Sequence, residues 1–166
     1  MQTEQDLERL VHAYTAPLLR YCTALLGSEA EAQDAVQSTF IKAWLRRGTL
    51  RGGDQDNERA WLYRIAYRTA LDMLRAARRA EQRAQAQPPG PPPPDPGIRA
   101  ELREALGALP PLDRALVLER VLEGMDYAAL AKVHRRPEAY LRPRYHPAKR
   151  RLANLLREEG PDHDPC

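Results

Sequence analysis

The stretch ERAWLYRIAYRTALDMLRAARR, from Glu58 to Arg79, decides how the rest of the chain reads. Taken as a helix at about 100° per residue, it places Leu62, Ile65, Ala66, Thr69, Ala70, Met73 and Ala77 on one side. Arg64, Arg68, Arg75, Arg78 and Arg79 fall on the other side, in a sector of roughly 100°. Trp61 and Tyr67 flank this arginine face. One side is apolar enough to be buried. The other sets guanidinium groups beside aromatic rings, a pairing that suits phosphates and unstacked bases. Taken alone, a basic face is as often a solvated face of an ordinary amphipathic helix, so the surrounding chain has to decide. A packing role for the Trp61 indole also stays open.

On both sides of this stretch the chain reads as helix. Ala, Leu, Arg and Glu dominate, β-branched residues are sparse and no segment alternates cleanly, so the expected class is all-α. Towards the N-terminus, Ser28-Glu29-Ala30-Glu31 is a capping-box pattern. It opens a helix from Glu29 to Arg46 with Ala32, Val36, Phe40, Ala43 and Trp44 as its apolar stripe and Asp34, Gln37, Ser38 and Lys42 outward. Before it, a helix from Thr3 to Thr15 is expected to stop at Pro17, which starts a second one ending at Gly27. RRGTLRGGDQDN, Arg46 to Asn57, is a loop by its glycines and Asp/Asn content, with Asp56 or Asn57 capping the central helix.

Towards the C-terminus, AQAQPPGPPPPDPG (84–97) has seven prolines in fourteen residues and reads as an extended linker. Helices follow over Ile98 to Gly107, from Pro111 towards Gly124, and over Tyr127 to Val133 capped by Asp126. HRRP then turns the chain into a basic segment, a helix-turn-helix arrangement. The domains are therefore 1–83, a linker 84–97, 98–158, and a disordered tail 159–166.

The net charge of +3 is unevenly spread. Six acids oppose Arg9 and Arg20 in the first forty residues, whereas from Lys132 to Arg151 eight Lys/Arg oppose Glu138 alone. That asymmetry fits an acidic protein-facing end and basic surfaces for nucleic acid. Cys22 reads as a small core residue, Cys166 lies in the tail, and the pair makes no disulfide framework or metal spacing. His12, His134, His146 and His163 are scattered without a paired nucleophile, and His134 and His146 read as turn and surface residues. No enzyme, cofactor or metal is expected. With no apolar leader and no run of eighteen apolar residues, the expected place is the cytoplasm and no membrane contact is expected.

Three stretches, DAVQSTFIKAW (Asp34 to Trp44), RAWLYRIAYRTALDMLR (Arg59 to Arg75) and LEGMDYAALA (Leu122 to Ala131), resemble the extracytoplasmic-function sigma factors of the sigma-70 family. The resemblance runs from about Leu7 to Leu156. It implies a two-domain bacterial transcription factor. Its partners would be the RNA polymerase core (the β′ clamp helices and the β flap), promoter DNA and, left open, an anti-sigma factor. Asp34, Gln37, Ser38 and Lys42 would dock polymerase. Arg51, Asp54, Trp61, Arg64, Tyr67, Arg68, Arg75 and Arg79 would hold and help melt −10 DNA, and the loop from Arg46 to Asn57 would capture a flipped base. Arg136, Arg142, Arg144, Lys149 and Arg150 would contact the −35 element.

Departures from the family pattern are Arg68, where the family usually has Asn, a linker whose one acid is Asp95, and AYLRPRYHPA (Ala139 to Ala148), where the family has unbroken recognition helix. An interior proline costs on the order of 3 kcal/mol. The expectation is therefore no continuous helix from Pro137 to Leu156, but one beginning between Pro143 and Pro147, with weakened −35 reading. The alternative function that follows is a sigma-derived polymerase- or regulator-binding protein that no longer reads −35 DNA.

Overall fold

The computed structural model describes residues 2–84 and 98–159, and all regular structure in them is helical. The linker and tail expectations fall on 85–97 and 160–166, outside the described residues, as does Cys166. The order is α1 Glu4–Leu26, α2 Glu29–Leu45, α3 Gln55–Arg83, α4 Ala100–Gly107, α5 Pro111–Val121, α6 Tyr127–His134 and α7 Glu138–Glu159, with a single 3-10 turn at Arg47–Thr49.

α1, α2 and α3 pack on one another and form the N-terminal half. Local signals set most of their ends. Thr3 Oγ1 accepts from the Asp6 backbone N–H while the Asp6 carboxylate accepts from the Thr3 N–H, a full capping box. Ser28 Oγ accepts from the Glu31 N–H at 3.2 Å. α1 ends at Gly27, whose φ of 77° lies in the left-handed region that glycine enters without steric cost.

Two expected breaks are absent. α1 runs straight through Pro17. Pro17 cannot donate to the Ala13 carbonyl, but Ala13 is exposed and water can take that oxygen. Leu10, Leu18, Tyr21, Cys22 and Leu25 form one buried stripe spanning the proline. At about 1.5–3 kcal/mol per large apolar side chain, that stripe outweighs one lost bond.

α7 is likewise continuous from Glu138 to Glu159, with Pro143 and Pro147 inside it. Both prolines and Ala139 face solvent, so the carbonyls they leave unpaired, those of Ala139 and Pro143, lie on the wet side. The opposite side buries Leu141, Tyr145 and Ala148, with Leu152 partly covered, against the helices of the C-terminal half. Arg144 ties it to α5 through Asp113 at 2.8 Å. The proline cost is real, but tertiary packing exceeds it.

The two halves meet along α1 with α4 and α5, and along α3 with α6. The junction is polar as well as apolar. Tyr21 donates its O–H to Glu119 at 2.7 Å, and Glu119 pairs with His134 Nε2 at 2.6 Å. Arg114 donates to the Leu25 carbonyl at 2.6 Å, placing a cation at the C-terminal end of α1. Tyr63 meets Tyr21 edge-on at 5.1 Å, and Tyr67 meets His134 edge-on at 4.5 Å. His134 is therefore not a turn or surface residue. Its side chain is 2% exposed, between the halves.

Candidate polymerase and nucleic-acid interface

The helix α3 is buried on more than one side. Ala60, Trp61, Leu62, Tyr63, Ile65, Ala66, Tyr67, Thr69 and Ala70 are all buried, because α1 and α2 cover one side and α6 another. A single apolar stripe therefore understates its contacts. Beyond Ala70 the helix emerges, and Arg75, Arg78 and Arg79 are exposed, as are Arg68 and Ala77.

The aromatic flank of the arginine face is not available to bases. Trp61 is 4% exposed, and its indole N–H donates to Thr49 Oγ1 at 3.0 Å. It fastens the Arg47–Thr49 turn to α3 instead of offering a ring. Tyr67 is 9% exposed and closed off by His134. Burial, followed by the nearby Glu119, pushes the Tyr67 hydroxyl up to about 12. The expectation of a stacking platform is thus corrected at Tyr67, and of the two roles left open for Trp61 the structure has the packing one. Packing wins because large rings next to a helix junction remove more apolar area than any other side chains there.

The loop before α3 is ordered by its own residues. Asp54, not Asp56 or Asn57, is the N-cap, accepting from the Asn57 N–H at 2.6 Å. Asn57 Nδ2 donates to the Arg51 carbonyl. Arg51 and Asp54 both remain exposed.

On α2, Asp34 and Gln37 are exposed and Ser38 is partly covered. Lys42 does not face outward as expected. Its Nζ donates to Thr69 Oγ1 at 2.9 Å and ties α2 to α3. In its place the outer face carries Ile41, 55% exposed, and Leu45, 73% exposed. Seven and eleven residues beyond Asp34, they continue its helical face. Sequence reasoning missed them, although this register was available to find them.

On α7, Arg142, Lys149 and Arg150 are exposed, as is Arg136 in the turn before it. Arg142 pairs with Glu138 at 2.8 Å and lies over the Tyr127 ring at 4.5 Å. Arg136 lies over Tyr140 at 5.0 Å. Arg144 is different. Its bond to Asp113 makes it a brace between α7 and α5 and not a free phosphate contact. Tyr140, 39% exposed, and the exposed His146 share the outer surface of the helix.

A further consequence of the closed halves is a cleft of about 1230 Å³ between α3 and the α6–α7 turn. Arg64, Arg68 and Arg75 line it from one side and Arg135, Arg136 and Arg151 from the other. Burial, then the neighbouring Arg135 and Arg68, lower the pKa of the Arg64 guanidinium.

No helix among the described residues is long and apolar enough to cross a membrane. Residues 10–80 match the Sigma-70 region 2 model and residues 99–152 the Sigma-70, region 4 model. The ECF RNA polymerase sigma factor SigL of Mycobacterium tuberculosis is 30% identical over 162 residues, which are 93% of this chain and 90% of that protein. The RNA polymerase sigma-H factor of Pseudomonas aeruginosa is 31% identical over 176 residues, again 93% of this chain and 90% of that protein. The sigma factor RpoE from Bartonella quintana, solved in complex with the anti-sigma factor NepR, shares the fold with a TM-score of 0.74 at 21% identity, over 93% of this chain and 99% of that one. With the two sigma-70 regions in order on one all-helical chain, and SigL 30% identical along nearly its whole length, the chain belongs to the extracytoplasmic-function sigma factors of the sigma-70 family, which act in transcription initiation.

Proposed function

We propose that this chain directs the bacterial RNA polymerase core to promoters in the cytoplasm, as a binding subunit and not a catalyst, with residues 1–83 and 98–158 acting as two domains on a linker at 84–97. The outer face of α2, with Asp34, Gln37, Ser38, Ile41 and Leu45, docks the polymerase clamp helices. The exposed loop around Arg51 and the arginines of α3 hold the −10 strand through its phosphates. Arg136, Arg142, Lys149 and Arg150 position α7 on the −35 duplex. The second domain also meets the β flap, and an anti-sigma protein is a further partner of the kind with which RpoE was solved.

The observation that carries this reading is the unbroken α7 after the short α6. It leaves a full-length helix for the major groove, with its basic residues on the open side. The competing idea of a protein that has lost −35 reading rested on a recognition helix broken by proline, and it loses that support.

In vitro transcription with core polymerase on a randomised promoter library tests the proposal. The expected result is factor-dependent transcripts enriched for particular sequences at both −10 and −35. Absence of factor-dependent initiation would refute it, and enrichment at −10 alone would restore the competing reading.

A further inference from the structure

The cleft between the halves has an unusual lining. Eight arginines and two acids, Asp72 and Glu81, face it. Cations held this close repel one another unless something negative lies between them. The excess is not merely a solvated face, because part of it is withdrawn from water. The Arg64 guanidinium borders the cleft, and its Nε–H is buried without a hydrogen-bond partner. A buried donor with no partner calls for an explanation, of which an absent anion is one.

A second, independent observation concerns Arg135. It caps α6 with φ 51° and ψ 47°, the one described non-glycine residue in the left-handed region. Glycine normally fills such a position, since a Cβ is crowded there. Here the chain carries strain at the residue that brings a guanidinium towards Arg64 across the cleft. Strain of this kind persists where the side chain has a use.

We propose that this cleft is a binding site for a small polyphosphate anion, which bridges α3 and the α6–α7 turn and holds the two halves together. Guanidinium forks suit phosphate oxygens, and several on opposing walls suit a chain of linked phosphates better than a single one. At about 1230 Å³ the cleft lies just above the roughly 300–1,000 Å³ of small-molecule sites. The source of the phosphates is a nucleotide or an inorganic chain. Arg64, Arg68 and Arg75 also belong to the proposed −10 face, so the anion and a promoter strand compete. This second part rests on the −10 assignment, whereas the binding itself does not.

Calorimetry and thermal unfolding of the full chain at low salt test the site with inorganic tripolyphosphate. A nucleoside triphosphate, orthophosphate and a single-stranded oligonucleotide serve as separate arms. The expected result is saturable binding near one per chain, with a raised melting temperature and orthophosphate much weaker. Arg135→Gly relieves the backbone strain, so its ligand-free melting temperature stays level or rises while tripolyphosphate affinity falls at least about tenfold. Arg64→Met lowers affinity similarly, and Arg157→Ala, at the far end of α7, leaves it unchanged. A nucleoside triphosphate binding more tightly than tripolyphosphate identifies a nucleotide as the source, and the reverse an inorganic chain. No saturable binding, or equal losses in Arg157→Ala and Arg135→Gly, would overturn the proposal. So would oligonucleotide binding with no tripolyphosphate binding, an outcome that leaves the promoter-reading proposal standing. Conversely, tripolyphosphate binding in a protein that fails in transcription would sink the promoter reading alone.

Discussion

Tyr21 of α1 donates its hydroxyl to the fully buried carboxylate of Glu119 in α5, 2.7 Å away, across the junction of the two halves. The same carboxylate holds His134 at 2.6 Å, so one acidic group collects donors from both halves. It sits where neither water nor another partner can replace them.

Glu119→Ala should therefore cost about 3–5 kcal/mol, because it leaves two buried polar groups unmatched. Tyr21→Phe should cost less, about 1–3 kcal/mol, since His134 still faces the carboxylate. Denaturant unfolding of the two single variants and the double variant checks both. The pair should be non-additive by roughly 0.5–3 kcal/mol. Additive effects would mean that the contact contributes nothing as a pair.

The prolines of α7 give a second prediction. Each removes one backbone bond from the wet side of a helix whose dry side is packed. Pro143→Ala and Pro147→Ala should each restore a bond and raise stability, by about 1–3 kcal/mol. They should leave the helix length unchanged. A gain in helical circular dichroism of several residues per substitution would instead show that the wild-type helix is broken in solution.

These prolines also mark what could be read without coordinates. The all-helical class, the capping serine at 28, the Asp126 cap and the turn after α6 all follow from local chemistry, and the structure has them. At Pro17, Pro143 and Pro147 the sequence shows only the local cost. The compensation lies in Leu10 and Leu18, or Leu141 and Tyr145, whose partners are remote in sequence. The site divides in the same way. Asp34, Gln37 and the exposed arginines stand where helical periodicity puts them. Trp61, Tyr67, Lys42 and Arg144 are absorbed by contacts with Thr49, His134, Thr69 and Asp113, and no periodicity within one helix reveals a partner on another.

Alkaline pH provides a third test. Burial pushes the Cys22 thiol from its ordinary 9.0 up to about 12, and Tyr67 from 10.0 up to about 12. Burial also raises Tyr21 and Tyr63. The folded chain thus keeps protons that the unfolded chain releases. Stability is fully present below about pH 9 and falls as pH rises towards 12. Cys22→Ala should flatten the first part of that fall, between about pH 9 and 10. Unfolding midpoints across that range measure it, and an identical slope in the variant would show that the thiol titrates normally.

The outer face of α2 separates binding from folding. Ile41 and Leu45 are 55% and 73% exposed, so Ile41→Asp and Leu45→Asp remove little packing. Each should leave stability within about 0.5 kcal/mol of wild type. If this face docks the polymerase, the same changes put a charge into an apolar contact and should weaken core binding at least about tenfold each. Lys42→Met should behave in the opposite way. Its ammonium is committed to Thr69, so the loss falls on stability, about 0.5–1.5 kcal/mol, with little change in polymerase affinity. Affinity by fluorescence anisotropy against purified core, beside thermal unfolding, distinguishes the two. Loss of binding in Lys42→Met with Ile41→Asp unaffected would move the interface off this face and onto the groove between α2 and α3.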